Sequence, residues 1–320
     1  MFKKIFPALI CISVFTINSW AQEKNTSFTV IPLGVKGGDD ESNLSSYMIA
    51  PKGSEKYICL DAGTINAGIQ KAIDHKSLKG ISEEIQRKQI KGYLISHAHL
   101  DHVAGLIINS PADTTKNIYG LHSVMNILRD KYFTWDAWAN FANEGEKPQL
   151  KKYTYTPLTE GITYPLEGTE MKVRAFELSH GNPYKSTAFL VSNHESYVLY
   201  LGDTGADEIE KSDKLARLWH TIAPIINAGQ LKAIFLEVSF PNEQPDQQLF
   251  GHLTPKLFYR ELAKLESLTN EKAFKKISFI VTHTKPPQKT AEKVKTQLIS
   301  GKSKDLKLLF PEQGKRLTIN

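Results

Sequence analysis

Short runs of β-branched and aromatic residues, each bounded by Gly, Pro, Asn or Asp, recur along the chain. Phe28 to Gly34, Ser46 to Ala50, Tyr57 to Asp61 and Tyr93 to Ser96 come first. Met171 to Leu178, Thr187 to Ser192, Tyr197 to Leu201, Ala233 to Val238 and Ser278 to Thr282 follow. This composition predicts strands, and several of the runs end on a polar or charged residue. Between them apolar residues recur at helical spacing over Ile81 to Ile90, His122 to Lys131, Lys214 to Ala228, Pro255 to Leu268 and Lys289 to Ile299. Strands stand before, between and after helices, and neither an internal repeat nor a Pro/Gly/Ser linker divides them. The pattern predicts one layered α/β domain over residues 22 to 320.

The stretch from Phe133 to Pro157 breaks the pattern. Trp135, Trp138, Phe141, Tyr153 and Tyr155 stand among Asn, Glu, Gly and Lys with no clear period, and the stretch reads as an insertion. Burial of these rings against the layers or at a subunit contact is favoured over a platform for a base.

The first residues carry a different signal. Lys3 and Lys4 precede the apolar run Ile5 to Ile17, and Ser19-Trp20-Ala21 offers the small residues of a peptidase site. Residues 1 to 21 read as a secretory signal peptide, so the mature chain is expected in the periplasm or medium, soluble and off the membrane. Cys11 leaves with the signal and Cys59 remains alone, which excludes an intramolecular disulfide. The formal charge of +6 loses Lys3 and Lys4 and falls to +4, with acids and bases interspersed. That balance indicates no nucleic-acid partner. A monomer and a homodimer both stay open.

Directly after the run Tyr93 to Ser96 comes His97-Ala98-His99-Leu100-Asp101-His102, four metal-competent side chains in six residues. So many donors converging where a strand opens into a loop call for a cation between them. His97 and His99 can point to one side, whereas Asp101 and His102, past the bend, reach an adjacent position, so two metal positions arise. His180, Asp203 and His283 each stand at the end of another apolar run, which suggests delivery to one sheet edge. His75, His194 and His220 lack that context, and His122, at the start of an expected helix, is left open.

On these residues the chain resembles the metallo-β-lactamase superfamily, an αββα sandwich, and more narrowly the class II 3′,5′-cyclic-nucleotide phosphodiesterases. The extended run HAHLDHVAGLIINSP, from His97 to Pro111, carries the narrower likeness. Gly37-Gly38, Asn43 to Tyr47, Leu60 to Thr64, Ser179-His180-Gly181, Ser186 to Phe189, Leu201 to Gly205, Glu237 to Phe240 and Gly251 to Pro255 add to it. The resemblance implies His97, His99 and His180 on one metal, Asp101, His102 and His283 on the other, and Asp203 bridging. An aspartate in that role argues against lactam hydrolysis. Zinc suits five histidines and two aspartates, although iron or manganese would accept the same donors.

Two such ions would lower the pKa of a shared water to supply hydroxide, which would displace the 3′ oxygen of cyclic AMP, or of cyclic GMP, to leave the 5′-monophosphate. Asp203, Asp101 and His252 are the residues expected to carry this step, with His252 the candidate to protonate the departing oxygen or to hold the phosphate, against helix capping. Asp61 is expected to orient a ligand or the bridging water from behind, against ordinary turn chemistry before Gly63. Asn43, with Ser45 and Ser46, either shapes the pocket or bonds a turn, with the turn favoured. The alternatives are another phosphodiesterase, a nuclease, or a thioester or lactone hydrolase on the same metals. A silent metal-binding or interaction module, by contrast, predicts missing ligands.

Overall fold

The computed structural model describes residues 1–2, 27–301 and 305–320. Apart from its first two residues, the expected signal peptide lies outside them. In chain order the elements are β1 (Phe28–Gly34), β2 (Ser46–Pro51), β3 (Tyr57–Leu60), α1 (Asn66–Asp74), α2 (Ser82–Lys88), β4 (Ile90–Leu94), α3 (Leu100–Asn109), β5 (Lys116–Leu121), α4 (His122–Ile127), β6 (Tyr153–Leu158) and β7 (Thr163–Pro165). They continue with β8 (Lys172–Ser179), β9 (Lys185–Asn193), β10 (Ser196–Leu201), α5 (Asp207–Glu210), α6 (Lys214–Asn227), β11 (Leu231–Glu237), α7 (Pro255–Ser267), α8 (Glu271–Phe274), β12 (Ser278–Thr282), α9 (Gln288–Gly301), β13 (Lys307–Leu309) and β14 (Leu317–Ile319).

Among the described residues two seven-stranded sheets form, ordered β14-β1-β2-β3-β4-β5-β6 and β13-β12-β11-β10-β9-β8-β7. Each begins as an antiparallel meander and turns parallel: β3 to β6 run parallel in the first, β10 to β13 in the second. Parallel neighbours need crossovers, and the helices that make them cover the outer faces.

Side chains alternate across each strand, so both faces must be apolar where both are covered. In β1, Val30 joins the layer between the sheets while Ile31 joins the layer under the helices. Tyr47, Ile58, Leu60, Phe189, Tyr200, Phe235 and Ile280 fill the space between the sheets. Tyr47 from the first sheet meets Phe235 of the second edge-on at 5.4 Å. Two further apolar layers lie outside, one with Ile69, Val103 and Leu106, the other with Trp219, Phe258 and Leu262. Three apolar layers separated by two sheets make an αββα sandwich. Cys59, in β3, is buried as a free thiol, which burial keeps protonated.

Three elements depart from the expected pattern. Asp101 and His102 stand in the first turn of α3, which an apolar run from Val103 to Ile108, broken only by Gly105, disguises as featureless sequence. Helix α4 gives way after Ile127 to a π-helical turn over Leu128–Tyr132. The aromatic stretch ends in β6, the edge strand of the first sheet, which brings Tyr153 and Tyr155 into the core. Phe133 is buried with them, Trp138 and Phe141 pack against that layer, and Trp135 stays exposed.

Behind β6 lies a buried ion pair. The Asp113 carboxylate accepts from the hydroxyls of Tyr93 (2.7 Å) and Tyr153 (2.8 Å) and pairs with Lys116, both ions being 5% exposed. Burial pulls the Lys116 ammonium below its usual range even with Asp113 beside it. Asp113→Ala would leave a buried cation alone, and the expected loss is about 3–5 kcal/mol of unfolding free energy. Urea denaturation checks it, and a midpoint unchanged from wild type would refute the assignment.

Candidate metal centre

The sandwich brings one edge of both sheets together, and the chemistry collects there. Asp61 follows β3, His97 follows β4, His180 follows β8, Asp203 follows β10, Glu237 closes β11 and His283 follows β12. Register explains the meeting: Leu60 pairs with Leu94, Tyr200 with Phe235, and Glu237 with Thr282, so these strands end level. Asp61 and His283 hold left-handed backbone, with φ of 54° and 56°. Non-glycine residues adopt that region where the surrounding structure demands it, and such strain clusters at sites.

Among the described residues four overlapping donor groups form: two hold the seven residues singled out in the sequence, while His252 joins His180 and Asp203 in a third and Glu237 and His283 in a fourth. Of the first two sets, His97, His99 and His180 make one, and Asp101, His102, Asp203 and His283 make the other, the donor atoms within each lying within 4.8 Å of one another. His99 Nδ1 is 3.1 Å from His97 Nε2 and 3.3 Å from His180 Nε2. Oδ2 of Asp203 stands between the sets, 3.1 Å from His283 Nε2, 3.3 Å from His102 Nε2, 3.7 Å from His97 Nε2 and 3.8 Å from His180 Nε2. All seven residues grouped by sequence reasoning therefore meet.

The electrostatics fit a cation. Burial depresses His97 well below the usual imidazole range, lowers His180, and brings His99 to about 4, where His180 adds repulsion. Neutral imidazole is the ligand form. Burial works to raise Asp203, but His283 and His102 hold it well below the carboxylate range. Around His102 the order reverses, since Asp203, Asp61 and Asp101 overcome its desolvation and raise its pKa. His102 Nε2 is buried and has no partner of hydrogen-bond geometry among the described residues. A buried nitrogen left open beside two carboxylates, Asp203 at 3.3 Å and Asp101 at 3.9 Å, is accounted for by a positive ion, so the donors fit two divalent metals.

With this geometry in place, similarity to known proteins is decisive. The family model for class II cAMP phosphodiesterases matches residues 25–306. The chain belongs to this family. A 3′,5′-cyclic-nucleotide phosphodiesterase of Aliivibrio fischeri is 39% identical over 333 aligned positions, covering 99% of each chain. A probable 3′,5′-cyclic-nucleotide phosphodiesterase of Yersinia pestis is 34% identical over 316, covering 94% of this chain and 92% of that one. Among solved structures, unliganded yeast PDE1 matches with a TM-score of 0.77 at 22% identity over 91% of this chain and 99% of its own. The metallo-beta-lactamase fold protein YhfI from Bacillus subtilis matches at 0.59 and 15% identity with the same coverage. The sandwich is thus of the metallo-β-lactamase type.

Behind the donors, this class II phosphodiesterase carries a shell of buried acceptors. Asp61 accepts from Ser96 N–H (2.7 Å), Ser96 Oγ (2.7 Å) and Tyr200 Oη (2.6 Å), and its Oδ2 lies 2.8 Å from His102 Nδ1. The orienting role expected of Asp61 has this contact to act through. Asp61→Ala is expected to weaken metal affinity about 10–100-fold. Competitive titration against a chromogenic chelator reads the change, and equal affinities in variant and wild type would rule the role out.

Sequence reasoning gave Glu237 and Ser239 no role. Glu237, fully buried, lies with Oε1 2.7 Å from His252 Nδ1, and its Oε2 accepts from Ser239 Oγ at 2.7 Å. Ser239 Oγ is also 2.9 Å from His283 Nδ1. One carboxylate thereby steadies two histidines, and His252 stacks on His283 at 5.1 Å as His283 stacks on His102 at 5.0 Å. A glutamate at the end of an apolar strand was the available signal. Tyr184, also without a prior role, stacks on His99 at 4.3 Å and 12°.

Glycines allow the close approach. A Cβ at Gly251 would stand 2.1 Å from Gly181 N, and the Gly251 carbonyl lies 2.9 Å from His180 Nδ1. A Cβ at Gly37 would enter the His283 ring. Asn43 serves the turn: its Oδ1 accepts from Val35 N–H at 3.0 Å, and the Val35 carbonyl accepts from His283 N–H. His75, His122, His194 and His220 are exposed and stand outside both donor sets.

Proposed function

We propose that this phosphodiesterase hydrolyses 3′,5′-cyclic AMP, and cyclic GMP as well, to the 5′-monophosphates at a centre of two divalent ions, zinc first among them. The observation that carries the reading is Asp203 Oδ2 standing between the two donor sets with the His252–Glu237 pair 3.8 Å away at the His252 Nδ1 end. The cyclic-nucleotide phosphodiesterases named above support the substrate.

His97, His99 and His180 would hold one ion, Asp101, His102 and His283 the other, and Asp203 both. Bound there, the ions would supply hydroxide near neutral pH and hold the charge of the phosphodiester. Asp61, Ser239 and the Gly251 carbonyl keep three of the histidines in the required tautomer and direction. Because a carboxylate only accepts, Glu237 keeps a proton on His252 Nδ1, and when the ring is the doubly protonated imidazolium its Nε2–H is the proton that passes to the departing 3′ oxygen, leaving the neutral ring protonated on Nδ1.

The test is hydrolysis of cyclic AMP and of bis(p-nitrophenyl) phosphate by the purified chain, with and without chelator. Formation of 5′-AMP that chelator stops and zinc restores is the expected result. Cleavage of the generic diester alone would retain the chemistry and reject the substrate. We propose further that residues 22 to 320 form one domain that acts after export, on external nucleotide. Cyclic AMP hydrolysis in the shock fluid is expected, and activity confined to the cytoplasm would contradict it.

A further inference from the structure

Two large apolar side chains at the margin of the centre remain in water. Leu100, directly after His99, is 63% exposed, and Phe250, two residues before His252, is 66% exposed. Burying a Phe side chain stabilises a fold, and Leu249 beside it is wholly buried in the outer layer. Phe250 forgoes that gain.

Its backbone is strained as well. Phe250 has φ 51°, where a bulky aromatic residue is an outlier. Gly251 follows at φ 79°, so two left-handed residues in succession turn the chain outward at this point. The same turn sets the Gly251 carbonyl 2.9 Å from His180 Nδ1. A Cβ at Gly181 would be 3.4 Å from the Phe250 carbonyl oxygen, so the backbone that carries the ring packs against the His180 loop. An exposed aromatic ring on strained backbone, anchored to a metal-competent histidine, has the properties of a ligand clamp.

We propose that Phe250 is the platform on which the purine of the cyclic nucleotide stacks while its phosphate occupies the centre, with Leu100 extending the apolar margin. The proposal rests on the substrate reading above and names a specificity-determining residue for it. Every base has a π face, so a stacking ring grips adenine and guanine alike. Phe250 then sets preference for nucleotides over diesters without a base, not for one purine over the other.

Competitive inhibition by 5′-AMP, 5′-GMP and ribose 5-phosphate, the last a base-free counterpart, isolates the contact in wild type, Phe250→Asn and Phe250→Trp. Asn tolerates left-handed backbone, so the loop keeps its fold while the ring is lost. The ratio of the ribose 5-phosphate constant to the 5′-AMP constant is expected to fall roughly tenfold in Phe250→Asn, equally for 5′-GMP, and to recover in Phe250→Trp. An unchanged ratio overturns the proposal. So does an equal weakening of all three ligands, which marks loop support, or a changed oligomeric state with the ratio intact, which marks a subunit contact. Wild type that cleaves bis(p-nitrophenyl) phosphate but not cyclic AMP overturns the substrate reading, and this inference with it. Wild-type turnover of cyclic AMP with an unaltered ratio overturns this inference alone.

Discussion

Asp203→Ala is expected to lower kcat for both cyclic AMP and bis(p-nitrophenyl) phosphate by about 10⁴-fold or more, and to lower bound metal with it. Its Oδ2 is the oxygen nearest to both donor sets, with His97, His102, His180 and His283 all within 3.8 Å. Metal ions contribute several kcal/mol of charge stabilisation, and each 1.36 kcal/mol is about a factor of ten in rate. Losing that carboxylate also removes the oxygen that His97, His102, His180 and His283 all face, and with it the negative charge that favours a cation among them. Metal content by plasma emission and turnover of the two substrates check the result. A variant retaining two metals and wild-type rates would refute the bridging position.

His252→Ala has a different expected signature. If Nε2 protonates the leaving oxygen, removal costs about 10²–10⁴-fold in kcat on cyclic AMP, whose 3′ alkoxide is a poor leaving group. p-Nitrophenolate departs without help, so bis(p-nitrophenyl) phosphate should lose far less, and bound metal should hold near the wild-type level. Glu237→Gln should fall on the same side of the comparison, because the 2.7 Å contact that fixes the His252 tautomer would be changed. Equal losses on both substrates would assign His252 to holding the phosphate or a metal instead.

The two substitutions also separate what was legible along the chain from what was not. His252 stood out only because of the residues around it, and its sequence gives no hint of Glu237, which lies fifteen positions earlier. Tyr200 and Asp61 are 139 positions apart and meet at 2.6 Å. No local pattern encodes such pairs, because they form between strands that become neighbours only after the sheets assemble. Asn43 illustrates the converse. A short polar side chain before an apolar run fits a pocket and a turn equally well, and the hydrogen bond to Val35 N–H shows the turn being made.

The aromatic stretch from Phe133 to Pro157 carries the same lesson for the fold. Its composition resembles a loop up to Lys152, yet Tyr153 to Leu158 pairs with β5 along six residues. Mixed polar neighbours are what an edge strand shows, since one of its sides has no partner strand. Helix α3 was hidden for the opposite reason: Leu100 and Ile108 on its exposed side are apolar too, which left no polar periodicity to read.

The layered α/β class, most strand positions and the seven metal-competent residues are legible along the chain, because a strand buried on both faces is a continuous apolar run, four of the seven follow such a run, and His99, Asp101 and His102 cluster just past the first of these. The spacing of the donors, the link from His252 through Glu237 and Ser239 to His283, and the exposure of Phe250 come from the tertiary structure. Those are distances between elements far apart in the chain, set by sheet register and by how two sheets stack, and register is a property of the assembled layers.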